Sequence, residues 1–323
     1  MNFWEKIKKP ILILAPMDGV TDTVFRQIVT FVGKPDVFFT EFVAVDALFS
    51  EGKEKALQVL KFTEKERPVV AQVWGSDPEK FYRAAKIIAK LGFDGIDINM
   101  GCPDKSAVKK GACSALIGNP KLALEIIEAT IKGAKGLPVS VKTRIGFRKI
   151  VTEDWMETLL QTQIVALTVH LRTASEMSKP PAHWEEMAKI VKLRNKINPK
   201  ILIIGNGDIK SAEEAEKKCK KYGIEGVMIG RGILENVYLF NENVNPESIT
   251  PQDKIKLLIK HLELFNDTYQ GDKPFEMMKK FVKCYVNNFK GAVGVRERLM
   301  KTKSLNELID VSKKLPVVES HHE

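Results

Sequence analysis

Residues 95–103 read Gly-Ile-Asp-Ile-Asn-Met-Gly-Cys-Pro, which predicts a buried strand followed at once by a polar turn. Cys102 stands at the exit of this strand, between a glycine and a proline. A small thiol on a stiff turn at a strand end can serve a reaction, yet free cysteine is also among the most buried residue types. The stretch therefore fits either a reactive cysteine or a structural one.

The same unit, a short apolar strand that ends in polar residues, recurs along the chain with helical patterns between the strands. Near-continuous apolar runs suit parallel strands that are covered on both faces. Eight such units predict an α/β fold, a (β/α)8 TIM barrel. A doubly wound sheet is the main alternative, but it usually has fewer strands and a G-x-G-x-x-G motif, which is absent here. The predicted strands are residues 11–15, 37–42, 69–74, 95–100, 139–144, 165–170, 201–206 and 226–231.

Helix signals fill the gaps between these strands. Asp77 before a proline is a predicted N-cap, and Ser211 with Glu214 forms a capping-box pattern. The amphipathic spacing predicts a helix over 78–91, with one apolar face formed by Phe81, Ala84, Ala85, Ile88 and Leu91.

The strand pattern stops near residue 245, and only helical patterns follow. We therefore predict a barrel domain over 1–244 and a small, all-helical C-terminal domain over 245–323. Residues 279–303 carry eight basic residues against one acidic residue, and aromatic residues recur through the same stretch at i+4 spacing. Phe281, Tyr285 and Phe289 are expected to form the buried face, whereas the basic residues suit phosphate contacts.

Composition limits the class of protein. The 323-residue chain is 44% hydrophobic and carries a formal charge of +10, which favours a polyanionic partner. Its four cysteines form no C-x-x-C pair, which argues for a reducing compartment and against a disulfide framework or a zinc cluster. No stretch approaches the roughly 18 apolar residues of a membrane span. We expect a cytoplasmic protein with no membrane association and no metal site.

Two glycine-rich loops predict a phosphate site. Residues 205–208 follow the seventh strand, and residues 230–232 follow the eighth, with Arg231 as a permanent cation. The loops after strands seven and eight of such barrels commonly bind phosphate through backbone N–H groups. The expected ligand is therefore a phosphorylated cofactor or substrate.

Other polar strand ends suit a flavin. A cation at Lys142 can stabilise the negative charge of a reduced flavin ring, and Gln72 and Asn99 can hydrogen-bond polar ring edges. His170 ends its strand and precedes Arg172 by two residues, which favours a site residue over a core histidine.

Eight motifs in this order resemble those of the tRNA-dihydrouridine synthase family. They cover roughly residues 11–240 and are Ala15-Pro16-Met17-Asp18-Gly19-Val20-Thr21-Asp22, Thr40-Glu41-Phe42, Ala71-Gln72, Asn99-x-Gly101-Cys102-Pro103, Val141-Lys142-Thr143-Arg144, Val169-His170-x-Arg172-Thr173, Gly205-Asn206-Gly207-Asp208 and Ile229-Gly230-Arg231-Gly232.

The resemblance implies an FMN-bound barrel whose flavin is reduced by NADPH, a helical domain that binds tRNA, and Cys102 as the proton donor. The implied FMN contacts are Pro16, Met17, Asp18, Gln72, Lys142, His170, Asn206, Gly207, Asp208, Gly230 and Arg231. We further predict substrate contacts at Asn99, Arg144, Arg172, Lys105, Lys109, Lys283, Arg296 and Arg298, in a protein that acts as a monomer.

The sequence departs from the family pattern at a few positions. Cys113 lies in the usually glycine-rich run after the cysteine loop, so a second thiol is expected near the first. The family's H-G-R-T has Leu171 in place of glycine, and Met177 stands where an aromatic residue is expected.

The implied chemistry agrees with the residues. Hydride from flavin N5 adds at C6 of uracil, and the resulting enolate needs a proton at C5, which a thiol can donate at neutral pH. Two alternatives remain open: a flavin barrel of the dihydroorotate-dehydrogenase type that acts on a free small molecule, and a non-catalytic tRNA-binding protein.

Overall fold

A computed structural model describes residues 2–315 of the chain. Eight parallel strands form a closed barrel in sequence order, which confirms the predicted (β/α)8 topology. The strands are β1 (Ile11–Leu14), β2 (Val37–Ala44), β3 (Val69–Trp74), β4 (Gly95–Met100), β5 (Val139–Arg144), β6 (Ala166–His170), β7 (Leu202–Asn206) and β8 (Gly226–Ile229).

Helices alternate with the strands and then continue alone toward the C-terminus, as predicted. The α-helices are α1 (Thr23–Val32), α2 (Lys53–Val59), α3 (Pro78–Leu91), α4 (Lys105–Lys109), α5 (Pro120–Gly133), α6 (Thr152–Leu160), α7 (Glu186–Ile197), α8 (Ala212–Tyr222), α9 (Gly232–Glu235), α10 (Pro251–Tyr269), α11 (Glu276–Tyr285), α12 (Ala292–Met300) and α13 (Leu305–Lys313). Short 3-10 helices are Phe3–Lys6, Val45–Phe49, Glu64–Glu66, Cys113–Gly118 and Pro246–Ser248. Residues 316–323 of the predicted helical domain lie outside the described part of the chain.

Strand ends differ slightly from the prediction. β2 continues to Ala44 because a register shift after Phe39 restores its pairing with β3 as far as Trp74. β8 ends at Ile229, which pairs with Leu14, because β1 offers no later partner. Gly230 and Arg231 therefore form a short loop before α9 rather than the end of a strand.

Two helix details also differ. Leu91 is 42% exposed rather than part of the apolar face of α3, because it is the last helical residue before the left-handed Gly92. Ser211 caps α8 by accepting from the N–H of Glu214, as predicted. In a capping box the Glu214 carboxylate would accept from the N–H of the cap residue itself. Here it accepts instead from the N–H of Lys210, one residue earlier, at 3.0 Å.

The barrel interior changes character along its axis. Alternate side chains of a strand point inward, and those near the amino ends of the strands are apolar. Trp4 of the first 3-10 helix packs with this cluster, which contains Ile11, Ile13, Val37, Phe39, Val70, Ala166, Ile204 and Met228. The inward positions further along β3, β4 and β5 are polar, so the carboxyl ends of the strands form the functional end of the barrel.

Contacts divide the chain into two compact units. The first contains the barrel strands, and the second contains Val24–Lys34 together with the chain from Arg231 onward. In the second unit Phe25 stacks on Phe281, with ring centroids 5.1 Å apart, and the buried His261 hydrogen-bonds the Tyr285 hydroxyl at 2.9 Å. Phe281 and Tyr285 thus form core, as expected, whereas Phe289 is only half-buried. The predicted domain boundary after residue 244 stays a prediction.

Candidate active site

Predicted site residues meet at the carboxyl ends of the strands. In the ladders, Asn99 pairs with Lys142, Arg144 pairs with His170, and His170 pairs with Asn206. Because these parallel strands are neighbours, their ends bring residues that are far apart in sequence to the same mouth of the barrel.

A chain of hydrogen bonds crosses the barrel interior below this mouth. Asp97 Oδ2 accepts from Gln72 Nε2 at 2.7 Å, and Gln72 Oε1 accepts from Asn99 Nδ2 at 3.0 Å. Asn99 Oδ1 then accepts from the backbone N–H groups of Gly101 at 3.0 Å and Cys102 at 2.9 Å. An ionised carboxylate only accepts, so Asp97 fixes the orientation of both amides and, through them, the loop that carries the thiol.

Asp97 itself was missed by the sequence analysis. It is fully buried, and its other oxygen accepts from Ser140 Oγ at 2.6 Å. Burial raises the pKa of Asp97 to about 6, against the hydrogen bonds from Ser140 and Gln72 and the charge of Lys142. The available signal was its spacing: residues two apart in a strand share a face, so Asp97 points the same way as Asn99.

Lys142 provides a half-buried cation beside this network. Its Nζ donates to Asn206 Oδ1 at 3.2 Å, and Asn206 Nδ2 donates to the carbonyl of Met228 at 2.8 Å. Burial lowers the pKa of Lys142 to about 8, and the nearby Arg144 acts in the same direction. An ammonium has three N–H donors, so the bond to Asn206 leaves donor capacity for an anionic or carbonyl ligand.

Cys102 is half-buried in a cleft of about 670 Å³. Cys113 lines the same cleft, so the expected second thiol lies beside the first. A hydrogen bond with Cys113 lowers the pKa of Cys102 to about 7, in opposition to burial and to the charge of Asp104. The cysteine is therefore neither exposed nor sealed in the core, which suits a group that exchanges a proton with a ligand.

Two arginines predicted to bind substrate make contacts within the protein. Arg144 donates to the carbonyl of Gly101 at 2.7 Å and to those of Thr173 and Met177 at 2.9 and 2.8 Å. It thereby ties the cysteine loop to the loop after β6, and burial lowers its pKa to about 10.

Arg172 is buried, forms an ion pair with Asp208, and donates to the carbonyl of Pro180 at 2.7 Å. Its Nη1 also lies 3.2 Å from His170 Nε2. The substrate roles of Arg144 and Arg172 stay predictions.

The loop after β7 contains a glycine at a position where a larger residue would not fit. Gly207 has a φ of +140°, its carbonyl accepts from Trp184 Nε1 at 3.0 Å, and an added Cβ would lie 2.6 Å from Ala182. Gly230 follows β8, where an added Cβ would be 3.7 Å from Ala15 and from Met17.

The remaining predicted cofactor residues differ in accessibility. Pro16 is buried, Met17 is half-buried, and the side chains of Asp18 and Arg231 are exposed. The N–H of Met17 donates to Thr21 Oγ1 at 2.8 Å, which holds the turn after β1.

The predicted RNA-contacting residues lie in both units. In the first unit, Lys105 and Lys109 are exposed on α4, directly after the cysteine loop. In the second, Lys283 and Arg298 are exposed, whereas Arg296 is half-buried and donates to the carbonyl of Val286 at 2.9 Å. Arg296 therefore has a structural contact that the other two cations do not share.

Residues 2–315 contain neither a metal-ligand cluster nor a membrane-spanning helix. No cluster of three histidine, cysteine, aspartate or glutamate side chains there is placed to hold a metal ion. Over the same part of the chain, no helix combines the length and the apolar character that a bilayer crossing requires.

The fold and the polar mouth define a barrel enzyme, and comparison with known proteins gives its family. The family model described as dihydrouridine synthase matches residues 13–319. The chain belongs to the dihydrouridine synthase family, a family of oxidoreductases. The resemblance found in the sequence motifs is thereby confirmed.

Curated relatives match over nearly the whole chain. A probable tRNA-dihydrouridine synthase of Staphylococcus aureus (strain COL) is 45% identical over 310 residues, which cover 95% of this chain and 93% of the relative. Probable tRNA-dihydrouridine synthase 2 of Bacillus subtilis (strain 168) is 42% identical over 311 residues, which cover 95% and 94%.

Solved structures match at the level of the fold. Histamine dehydrogenase from Rhizobium sp. 4-9 matches with a TM-score of 0.58 and 12% identity, over 78% of this chain and 48% of that one. A morphinone reductase mutant in complex with tetrahydroNAD matches with a TM-score of 0.50 and 11% identity, over 71% and 85%. These likenesses support the barrel architecture.

Proposed function

We propose that this protein reduces uridines in tRNA to 5,6-dihydrouridine with FMN as its cofactor and NADPH as the reductant. The observation that carries the proposal is the pairing of two groups at one barrel mouth. The half-buried Lys142 ammonium lies on β5, and the Cys102 thiol follows the neighbouring β4, where Asn99 fixes its backbone. A cation and a proton donor on adjacent strands suit a reaction that adds a hydride and a proton across a double bond.

The residues present fit FMN. Lys142 has a half-buried ammonium with further N–H donors beside the neutral amide of Asn206, which suits the electron-rich edge of a flavin ring. Glycine-containing loops after β7 and β8 suit its phosphate, since backbone N–H groups bind such anions well. The residues that would hold FMN are Pro16, Met17, Asp18, Gln72, Lys142, His170, Asn206, Gly207, Asp208, Gly230 and Arg231.

The chain's own residues then complete the reaction. FMN bound at this site would supply from N5 the hydride that adds to C6 of uracil. Cys102 gives its proton to C5, and with a pKa of about 7 it keeps a large protonated fraction at neutral pH while remaining a good acid. Carboxylates with ordinary pKa values would be mostly ionised there, so a thiol is the better donor.

Uridine in a folded tRNA must leave its stack to reach such a site, as base-modifying enzymes require. The exposed Lys105 and Lys109 on α4 suit contacts with the phosphates that flank the target nucleotide. Asn99, Arg144 and Arg172 lie at strand ends where a base would enter, and the basic tail supplies further phosphate contacts through Lys283, Arg296 and Arg298. We further propose that the protein acts as a cytoplasmic monomer.

The test is a Cys102→Ala variant assayed on unmodified tRNA. We expect it to keep its yellow flavin and to lose most dihydrouridine formation, because the ring would lack its proton donor. Cys219→Ala is the matched control, since Cys219 is buried in α8 and should tolerate the change with full activity.

Unchanged turnover in Cys102→Ala would remove Cys102 from the role of acid. The assay includes free uridine as a second substrate, and equal turnover on free uridine would point to a small-molecule reductase instead. A purified protein that binds no FMN would contradict the proposal altogether.

A further inference from the structure

The cleft that contains Cys102 has a second thiol in its wall. Cys113 is the first residue of the 3-10 helix Cys113–Gly118 and is 1% exposed. The N–H of Ser114 donates to the carbonyl of Cys102 at 3.2 Å, so a backbone bond ties the start of this helix to the cysteine loop. Both thiols line the same cleft.

The backbone at Cys113 is held in an unusual conformation. Its φ is +56°, in the left-handed region that L residues other than glycine adopt rarely. Such a conformation persists only where the surroundings enforce it. The surroundings therefore fix the position of Cys113 in the wall of the cleft.

The charges around the pair decide which thiol keeps its proton. The cations Lys142 and Arg144, both on β5, favour a thiolate at Cys102, whereas Asp104 on its own loop opposes one. The interaction with the Cys102 side chain raises the pKa of Cys113 far above its ordinary value, and burial and the charge of Asp104 act in the same direction. Asp18 and Lys55 also line the cleft. Cys113 is 1% exposed whereas Cys102 is half-buried, so Cys113 is the thiol that keeps its proton more firmly.

We propose that Cys113 is a positioning residue for proton transfer, whose S–H group donates to the sulfur of Cys102 and stabilises the thiolate left when Cys102 protonates its substrate. This inference rests on the proposed function, in which Cys102 is the acid. During the step the S–H bond of Cys102 breaks, a C5–H bond of uracil forms, and the electron pair stays on the Cys102 sulfur. The S–H bond of Cys113 remains intact throughout.

The test measures the thiolate of Cys102 directly, without turnover. The rate of iodoacetamide alkylation at Cys102 is followed against pH by peptide mass spectrometry, on the flavin-free full chain under anaerobic conditions. In Cys113→Ala the donor is lost, so the midpoint of the rate curve should move up by about one pH unit, and alkylation at pH 7 should slow roughly fivefold. Cys113→Ser keeps an O–H donor and should stay close to wild type.

Two further variants keep the test decisive. Cys113→Gly removes the thiol while suiting the left-handed backbone, so it should repeat the shift of Cys113→Ala even if the alanine variant folds poorly. Cys284→Ala is the control, because this buried thiol of α11 should not affect Cys102. A midpoint that stays at the wild-type value in both Cys113→Gly and Cys113→Ala would overturn the inference.

The same variants separate this inference from the proposed function. In Cys113→Ala, dihydrouridine formation should be slower than in wild type below neutral pH and should persist to higher pH. The reason is that Cys102 becomes a weaker acid. If Cys102→Ala loses turnover but the alkylation midpoint does not move in the Cys113 variants, Cys102 is the acid and Cys113 is not its partner. If the midpoint moves but Cys102→Ala retains turnover, the thiols are coupled and the reaction role is wrong.

Discussion

The side-chain oxygen of Asn99 accepts a hydrogen bond from the backbone N–H of Cys102 at 2.9 Å. The same oxygen accepts from the N–H of Gly101 at 3.0 Å, and the side-chain nitrogen donates to Gln72. One inward-facing side chain of β4 therefore holds the turn that carries the thiol. The position of the sulfur depends on the barrel interior rather than on the loop alone.

Replacing Asn99 with alanine should damage both the stability and the activity of the protein. Asn99→Ala leaves two backbone N–H groups without their acceptor, which should lower the free energy of unfolding by about 1–3 kcal/mol. Dihydrouridine formation should fall by at least tenfold, because the thiol is no longer held. Urea unfolding and a turnover assay measure the two effects.

Asn119→Ala is the matched control for this change. Asn119 caps α5 through its side-chain oxygen, so its loss should cost about 1 kcal/mol of stability without reducing turnover. If the two variants lost activity equally, the loop-holding role of Asn99 would be wrong.

Much of the barrel could be predicted from local patterns. Each strand is a short apolar run that ends in polar or glycine residues, so the number and order of the strands followed from the sequence, and their ends followed to within two residues. The partners of the inward-facing polar groups did not, because they come from neighbouring strands. A single Asp97 in an apolar run has no local explanation until Ser140 and Gln72 are seen to bond it.

The membership of the second unit was also beyond local patterns. Val24–Lys34 looks like any amphipathic helix of a barrel, yet it belongs with the C-terminal helices. The reason is the packing of Phe25 on Phe281, a contact between distant parts of the sequence. Periodicity indicates which face of a helix is buried, but not what buries it.

Asp97 should make the stability of the protein depend on pH. Burial raises its pKa from 3.8 to about 6, so between these values the folded protein keeps a proton that the unfolded chain releases. The folded state binds more protons there, and the free energy of unfolding falls as pH rises through this window. Asp97→Asn removes this loss. Its free energy of unfolding should exceed that of wild type by an amount that grows from pH 4 and reaches about 2–3 kcal/mol at pH 7.

Urea unfolding of both proteins at several pH values measures this difference. Asp267→Asn makes the same chemical change at an exposed position of α10 and should follow the wild-type curve. A difference between Asp97→Asn and wild type that does not change with pH would show that the Asp97 carboxyl has no raised pKa.

Lys142 should control the affinity for FMN. Burial lowers its pKa to about 8, so the free protein loses this charge as pH rises from 7 to 9. The phosphate of FMN, with a second pKa of about 6, is already doubly ionised in that range. Wild-type affinity should therefore fall as pH rises, whereas Lys142→Met should bind at least tenfold more weakly at pH 7 and show no such fall.

Flavin fluorescence during titration measures this affinity. Lys200→Met removes an exposed lysine that precedes β7, at the opposite end of the strand from the site, and should bind FMN as wild type does. Equal affinity of Lys142→Met and Lys200→Met would exclude Lys142 from the flavin site.

The exposed cations of the second unit should set the salt dependence of tRNA binding. Each phosphate contact releases counterions, so losing one lowers the slope of log affinity against log salt by about 0.7–0.9. The double variant Lys283→Gln with Arg298→Gln should lower this slope by about 1.5, as fluorescence anisotropy with a labelled tRNA can measure. Arg296 is left intact because its bond to the Val286 carbonyl also supports the fold.

The control, Lys200→Gln with Lys220→Gln, removes the same charge from exposed positions of the first unit. An equal change of slope in both pairs would mean that net charge, rather than this basic segment, attracts the RNA.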